Sequence, residues 1–179
     1  MNRQLEIEYK TLLTHEQFKR LNDFFQFNAT KEQKNTYFDT EDQQLQKQRW
    51  MVRIREVGDE CIFTAKFPVA LGNEEIEFTL STFNIEDSRI RALLEHHHIT
   101  GKLYPIGTTT TIRSMYCDSF GCWCLDQTFF DETMDYEIEY ELHAGIFDAK
   151  EHYLEVLSSL NIEFRKAKSK FVRMLEYKK

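Results

Sequence analysis

Apolar and polar positions alternate along most of this chain, with the two-residue period that marks strands. Over residues 4–13, Leu5, Ile7 and Tyr9 share one face and Glu6, Glu8 and Lys10 the other, because successive side chains of a strand point to opposite sides. The period returns at 50–57, where Val52 and Ile54 oppose Arg53 and Arg55, and at 61–67, where Phe63, Ala65 and Phe67 oppose Thr64 and Lys66. It returns at 74–80, with Ile76, Phe78 and Leu80 against Glu75, Glu77 and Thr79, and at 134–142, with Tyr136, Ile138, Tyr140 and Leu142 against Glu137, Glu139 and Glu141. A strand over 108–118 places Thr109, Thr111 and Arg113 on one side, and a return strand starts at Trp123 to Asp126. Asn35 to Asp39 forms a short aromatic strand. Turns at Gly58-Asp59, Leu71-Gly72-Asn73, Gly121 and 131–133 predict hairpins. Pro68 is expected to end its strand for want of an amide donor, and Gly101, Pro105 and Gly107 to interrupt the chain before 108.

Between the strands the period becomes helical. Phe18, Leu21 and Phe25 predict a helix over 15–26, opened by a Thr14–Gln17 capping box, and Thr40 and Gln43 repeat the capping pattern before a short helix at 41–47. Ile90, Leu93, Leu94 and His97 predict a helix over 86–98; Ala149, Tyr153, Val156, Leu157 and Leu160 predict another from Gly145 to Leu160, with Asn161 as its stop. Phe171, Met174 and Leu175 mark a last short helix in a basic tail. Strands joined by hairpins, with helices between them, make an α+β protein built on an antiparallel sheet.

At least six strands pair an apolar face with a charged or threonine face, and the charges sort by strand. Those at 6–10, 75–79 and 137–141 are acid-rich; those at 53–55, 66 and 113 are basic. A solvated surface would mix signs along each strand. Closure into a barrel removes exposed edges and lets helices cover the apolar faces from outside, which leaves the charged faces to line a lumen. Desolvated charges are costly, so such a lining is sensible only if it stays hydrated or binds an ionic ligand. Rows of Arg and Lys fit a polyanion. Carboxylates in the same cavity would repel that anion unless divalent cations bridge them, and oxygen-only ligands favour Mg²⁺ or Mn²⁺. The combined chemistry is that of a metal–polyphosphate site.

Composition narrows this further. A length of 179 residues predicts a single domain over 1–179, and 41% hydrophobic with 30% charged residues predicts a folded chain rather than a disordered one. The net charge of −7 argues against general nucleic-acid or anionic-membrane binding. No apolar run is long enough for a membrane span, and the start of the chain lacks a signal peptide's apolar stretch, so a cytoplasmic location is expected. The four cysteines are accordingly expected to be reduced. Cys117, Cys122 and Cys124 lack the paired spacing of a zinc knuckle, and His96, His97 and His98 diverge on a helix, so neither group predicts a zinc site. No P-loop or dinucleotide-binding glycine pattern occurs. Apolar residues on helix exteriors would support a homodimer.

The Glu6-x-Glu8-x-Lys10 opening resembles the E-x-E-x-K signature of the CYTH superfamily, the triphosphate tunnel metalloenzymes. The Arg53-x-Arg55 pair, Lys66, the Glu75-x-Glu77 pair, Arg113, Asp126, the Glu137-x-Glu139 pair and a late Lys168 or Lys170 follow in the family's order, over about residues 5–170. The chain is most similar to compact bacterial members of the YjbK type. The resemblance implies an eight-stranded antiparallel β-barrel that forms a tunnel, with helices packed outside. It implies that Lys10, Arg53, Arg55, Lys66, Arg113 and one or both of Lys168 and Lys170 hold phosphate oxygens. It implies that Glu6, Glu8, Glu75, Glu77, Asp126, Glu137 and Glu139 supply ligands for Mg²⁺ or Mn²⁺, and that a catalytic carboxylate among Glu6, Glu8, Glu137 and Glu139 orients the attacking water. Glu141 continues the acidic face but lies outside that set. The implied activity is hydrolysis of a triphosphate-containing small molecule, foremost inorganic tripolyphosphate. The alternatives are a thiamine triphosphatase, a class IV adenylate cyclase and a non-catalytic polyphosphate sensor.

Overall fold

The computed structural model describes residues 1–27 and 29–178. The N-terminal segment runs as two strands, β1 (Asn2–Glu6) and β2 (Glu8–Leu13), that break only at Ile7. Helix α1 (His15–Phe24) follows, with the Thr14–Gln17 capping box formed in both directions. Next come β3 (Ala29–Thr40), α2 (Gln44–Lys47), β4 (Met51–Val57), β5 (Glu60–Val69) and β6 (Gly72–Leu80). Helix α3 (Ser88–His96) leads to β7 (Leu103–Cys117), β8 (Gly121–Phe130) and β9 (Thr133–Leu142), and α4 (Lys150–Ser159) and α5 (Lys170–Tyr177) close the chain.

Among the described residues all nine strands belong to one antiparallel sheet in the order β1-β6-β5-β4-β3-β7-β8-β9-β2. Its two edge strands are halves of the same segment. Glu6 pairs with Asn73 on β6, and Glu8 pairs with Glu141 on β9. The chain passing through Ile7 therefore joins the two edges of a curled sheet, and counting β1 and β2 as one strand gives the expected eight. At this seam Gly72 has φ +148°, and a Cβ there would run into the Glu6 carbonyl oxygen, so only glycine lets β1 lie this close to β6.

The apolar faces point outward under the helices, as the alternation requires. Val52, Ile54, Phe63, Ala65 and Ile76 pack beneath α3, which contributes Ile90, Leu93 and Leu94. Trp123, Leu125, Ile138 and Tyr140 pack beneath α1 and α4, which contribute Leu21, Tyr153 and Leu157. Helix α5 docks separately, with Phe171 and Met174 against Tyr37 and Phe130. Among the described residues no helix is long and apolar enough to cross a membrane.

Several expectations are corrected. Pro68 does not end β5 but pairs with Asn73 inside it; β4 begins only at Met51, opposite Lys66, so the missing Pro68 amide faces no neighbouring strand. Strand β7 runs through Pro105 and Gly107 and absorbs them with a register shift opposite Tyr37 and Phe38. Strand β3 reaches back to Ala29 because its polar first half is held by pairing with β7 rather than by alternation. The Thr40–Gln43 box does not form: Gln43 is left-handed at φ 59°, and Asp39 and Thr40 accept the first amides of α2 instead. Finally, Cys117 and Cys122 form a disulfide rather than two thiols, because the β7–β8 hairpin places them directly opposite one another, 4.0 Å apart at Cα. Cys61 and Cys124 are free.

Candidate active site

The charged faces enclose a cavity of about 560 Å³. Each strand is fixed in register by an apolar residue that sits between two inward-facing ones. Ile54, Ala65, Ile76 and Ile138 are fully buried in the outer cores, and a slip of one residue would expose them and turn the charges outward. Glu6, Glu8, Lys10, Arg53, Arg55, Lys66, Glu75, Glu77, Arg113, Glu139 and Lys170 all line the cavity. Asp126 and Glu137 lie just beneath this lining, both fully buried. Lys168 is not brought in: it is exposed and pairs with Glu176 at 2.5 Å.

Most lumen cations are already neutralised. Lys66 holds Glu6 and lies 3.0 Å from Glu75. Lys10 bridges Glu8 at 2.7 Å and Glu139 at 3.0 Å. Arg113 forks onto Asp126 at 2.8 and 2.7 Å, reaches Glu141 at 3.0 Å and also contacts Glu139. The exceptions are Arg53 and Arg55, for which no carboxylate lies within ion-pair distance among the described residues. Arg55 Nε donates to Asn35 Oδ1 at 3.1 Å, while the buried Arg53 Nε has no acceptor.

The protonation energetics follow this division except at Lys170, where burial, with Arg113 and Lys10 adding to it, outweighs the pull of Asp126 and lowers the group to about 7. Burial lowers Arg55 to about 10, and the adjacent Arg53 and Arg113 add to the effect. Lys10 and Arg113 go the other way: burial opposes their charge, but Glu139 and Glu8 around Lys10, and Asp126 around Arg113, outweigh it. Burial also works against the Glu139 carboxylate, yet Lys10 and Arg113 hold it well below the usual carboxylate range. Glu6 is pushed up to about 7 by burial, against the pull of Lys66 and with Glu8 and Glu75 adding to the rise.

Two carboxylate triads stand out, each with oxygens within 4.8 Å of one another: Glu6, Glu8 and Glu141 at the seam, and Asp126, Glu137 and Glu139 on β8 and β9. All their donor atoms are carboxylate oxygens, the ligand type that suits Mg²⁺ or Mn²⁺. In the seam triad Glu6 Oε2 is buried with no partner, so that site keeps an unused ligand atom.

Three residues outside the expected site set also take part in it. Glu141 completes the seam triad because β9 pairs with β2, a long-range pairing that no local pattern encodes, although its place two residues after Glu139 was visible. Arg173 is buried and donates to Asp135 and Glu137, both at 2.8 Å; its spacing of three from Lys170 on one helix was the available signal. Tyr37 is at once core and cavity wall, its ring tilted against that of Phe171 with centroids 5.3 Å apart.

Comparison with known proteins agrees with this architecture. The sequence matches the CYTH domain family over residues 4–174. It is 28% identical over 188 residues to a proposed triphosphatase, YjbK, of Bacillus subtilis (strain 168), with 100% of this chain and 98% of that protein covered. The crystal structure of a proposed adenylate cyclase from Bacillus halodurans superposes with a TM-score of 0.84 at 32% identity, over 97% of this chain and 98% of that one. HpAC1 from Hippeastrum, a proposed adenylyl cyclase described as having a dominant triphosphatase activity, shares the fold with a TM-score of 0.76 at 23% identity, over 99% and 96% of the two chains. With a sheet joined through its own first strand, charged residues on the inner face and a family match across nearly its whole length, the chain belongs to the CYTH domain family.

Proposed function

We propose that this protein is a divalent-metal-dependent triphosphatase that hydrolyses inorganic tripolyphosphate inside the cavity. The observation that carries the reading is the Arg53–Arg55 pair, which has no carboxylate at ion-pair distance among the described residues and leaves Arg53 Nε without an acceptor, beside a carboxylate triad with a spare ligand atom. A buried and a half-buried guanidinium without ion-paired carboxylates are costly in the free protein, and a polyphosphate would relieve that cost through paired hydrogen bonds.

In this reading Arg53 and Arg55, with Lys10, Lys66 and Arg113 around them, bind and align the phosphate oxygens. Glu6, Glu8 and Glu141 would hold Mg²⁺ or Mn²⁺. When bound, such an ion supplies charge neutralisation on the polyphosphate and lowers the pKa of a coordinated water. Glu75 and Glu77 sit farther along the same wall, where Glu75 orients Lys66 and Glu77 accepts from Thr64 at 2.8 Å. Their role is to position rather than to ligate. The relationship to the Bacillus subtilis protein proposed as a triphosphatase supports the reaction class.

A second reading rests on Met51, Val172 and Leu175, which give the α5 side of the cavity an apolar wall suited to an organic group on the triphosphate. The two readings separate in one panel: phosphate and cyclic AMP released from tripolyphosphate, thiamine triphosphate and ATP, with Mg²⁺, Mn²⁺ or EDTA. Fastest phosphate release from tripolyphosphate, abolished by EDTA and strongly reduced in Glu8→Ala and Lys66→Ala, supports the proposal. Full activity in both variants overturns the site assignment, EDTA-insensitive turnover overturns the metal role, and cyclic AMP as main product overturns the reaction.

A further inference from the structure

The second carboxylate triad is filled from within the chain. Asp126, Glu137 and Glu139 converge on the Nζ of Lys170, the first residue of α5. That ammonium lies 2.8 Å from Asp126 Oδ2 and 3.0 Å from Glu139 Oε1, and it contacts Glu137 Oε1. Its three donors thus meet three carboxylates, and little of the side chain is exposed. The rest of α5 holds it there. Phe171 and Met174 are buried against Tyr37 and Phe130, and Arg173 ties the same helix to Asp135 and Glu137. Just upstream, an isolated bridge between Thr11 and Lys166 pins the tail to β2.

The seam triad is built differently. Lys66, Lys10 and Arg113 each hold one of Glu6, Glu8 and Glu141, among the described residues no single cation pairs with all three, and Glu6 Oε2 is left over. A lysine ammonium and a divalent ion cannot occupy the same oxygens, because both need the same lone pairs and repel each other at that separation.

We propose that Lys170 is the resident cation of the Asp126–Glu137–Glu139 triad and competes there with divalent metal. The cavity then takes one ion, at Glu6, Glu8 and Glu141, while α5 is docked; a second ion enters only when Lys170 withdraws. Lys170, which the sequence pattern offers as a phosphate contact, acts instead as a positioning residue that sets how many ions the site holds. This inference rests on the metal–polyphosphate reading above.

The test is calorimetric titration of the substrate-free protein with Mn²⁺, comparing wild type, Lys170→Met and the double variant Lys170→Met/Glu8→Gln. One ion per chain in wild type, two in Lys170→Met with the added site at least ten times tighter than any second site in wild type, and retention of that added site in the double variant support the proposal. Two equivalent ions in wild type, with no change in Lys170→Met, overturn it while leaving the metal reading intact. No Mn²⁺ binding by wild type overturns both. Should Lys170→Met unfold without metal, circular dichroism on adding Mn²⁺ decides: recovery of the fold supports the competition, and failure to recover shows that Lys170 is needed only as structure.

Discussion

Neutralising Arg53 should stabilise the free protein and sharply weaken its response to polyphosphate. Arg53 is 7% exposed, its Nε has no acceptor, and its charge is one reason Arg55 falls from 12.5 to about 10. A fall of that size corresponds to about 3 kcal/mol of unfavourable environment for Arg55 at neutral pH, with burial the largest share and Arg53 the next. Arg53→Gln removes the Arg53 share and an unpaired buried charge, but it also gives up attraction to Glu75. A net gain of about 1 kcal/mol is expected, or about 2–4 °C in Tm for a chain of this size. Tripolyphosphate at about 100 times its Kd should stabilise wild type by about 2.7 kcal/mol. Loss of two charge-assisted hydrogen bonds, at about 1.5–3 kcal/mol each, weakens binding by about 100-fold or more. The same ligand concentration would then stabilise the variant by about 0.4 kcal/mol. Thermal melts of both proteins, with and without tripolyphosphate, read all four values. A variant that melts lower than wild type without ligand, yet still shifts by several degrees with it, refutes the idea that Arg53 is held unpaired for an anion.

Two further outcomes follow from the site and its surroundings. Glu141→Gln removes one of the three seam ligands, so Mn²⁺ affinity measured by calorimetry should fall about 10–100-fold and phosphate release with it; unchanged affinity would remove Glu141 from the site. Reducing the Cys117–Cys122 disulfide, which closes a short loop with a sequence separation of 5, should cost about 2 kcal/mol of stability. Phosphate release should persist, because the bond lies at the hairpin end beyond the cavity lining; parallel loss of activity and of disulfide would contradict that separation.

The inner and outer faces were legible in the sequence because a strand's period is two and the helices need apolar partners. Ile54 between Arg53 and Arg55, and Ile138 between Glu137 and Glu139, carry that information locally. What the sequence did not show is which strands meet. The seam at Ile7 puts Glu6 beside β6 and Glu8 beside β9, so a signature of five consecutive residues spans the two edges of the sheet. Glu141 could be placed only once that pairing was known. The same limit explains Lys168 and Lys170. Both lie in a basic tail, but only the docking of Phe171 and Met174 decides that Lys170 turns inward while Lys168 stays outside. Pro105 and Gly107 were read as breaks because their effect on a ladder depends on the partner strand, and here β3 accommodates them with a shift of register.

Asp118 offers the sharpest check on the outer shell that holds β7, β8 and β9 in place. Its Oδ1 accepts from Tyr140 Oη at 2.6 Å and from the amides of Phe120 and Gly121 at 2.9 and 3.0 Å, while Oδ2 accepts from Trp123 Nε1 at 3.0 Å and faces His152 Nε2 at 2.9 Å. Burial pushes this carboxyl up, but the hydrogen bonds from Tyr140, Trp123, His152 and the Phe120 amide outweigh it and hold the group well below the usual carboxylate range. A depressed native pKa contributes stability that is complete above the unfolded value, about 4 for Asp, and is lost as pH falls toward the native one. Asp118→Asn turns an amide donor toward groups that need an acceptor, so at pH 7 it should cost about 2–3 kcal/mol. Protonating wild-type Asp118 removes much of the same advantage, so the difference between the two proteins should shrink steadily from about pH 5 downward. Urea melts at pH 7, 5 and 3 measure it. A gap as wide at pH 3 as at pH 7 would mean that packing around Trp123 and Tyr140, rather than the ionised carboxylate, holds this end of the hairpin, and that the charge on Asp118 is incidental to the position of Arg113 and Asp126 farther along the same strands.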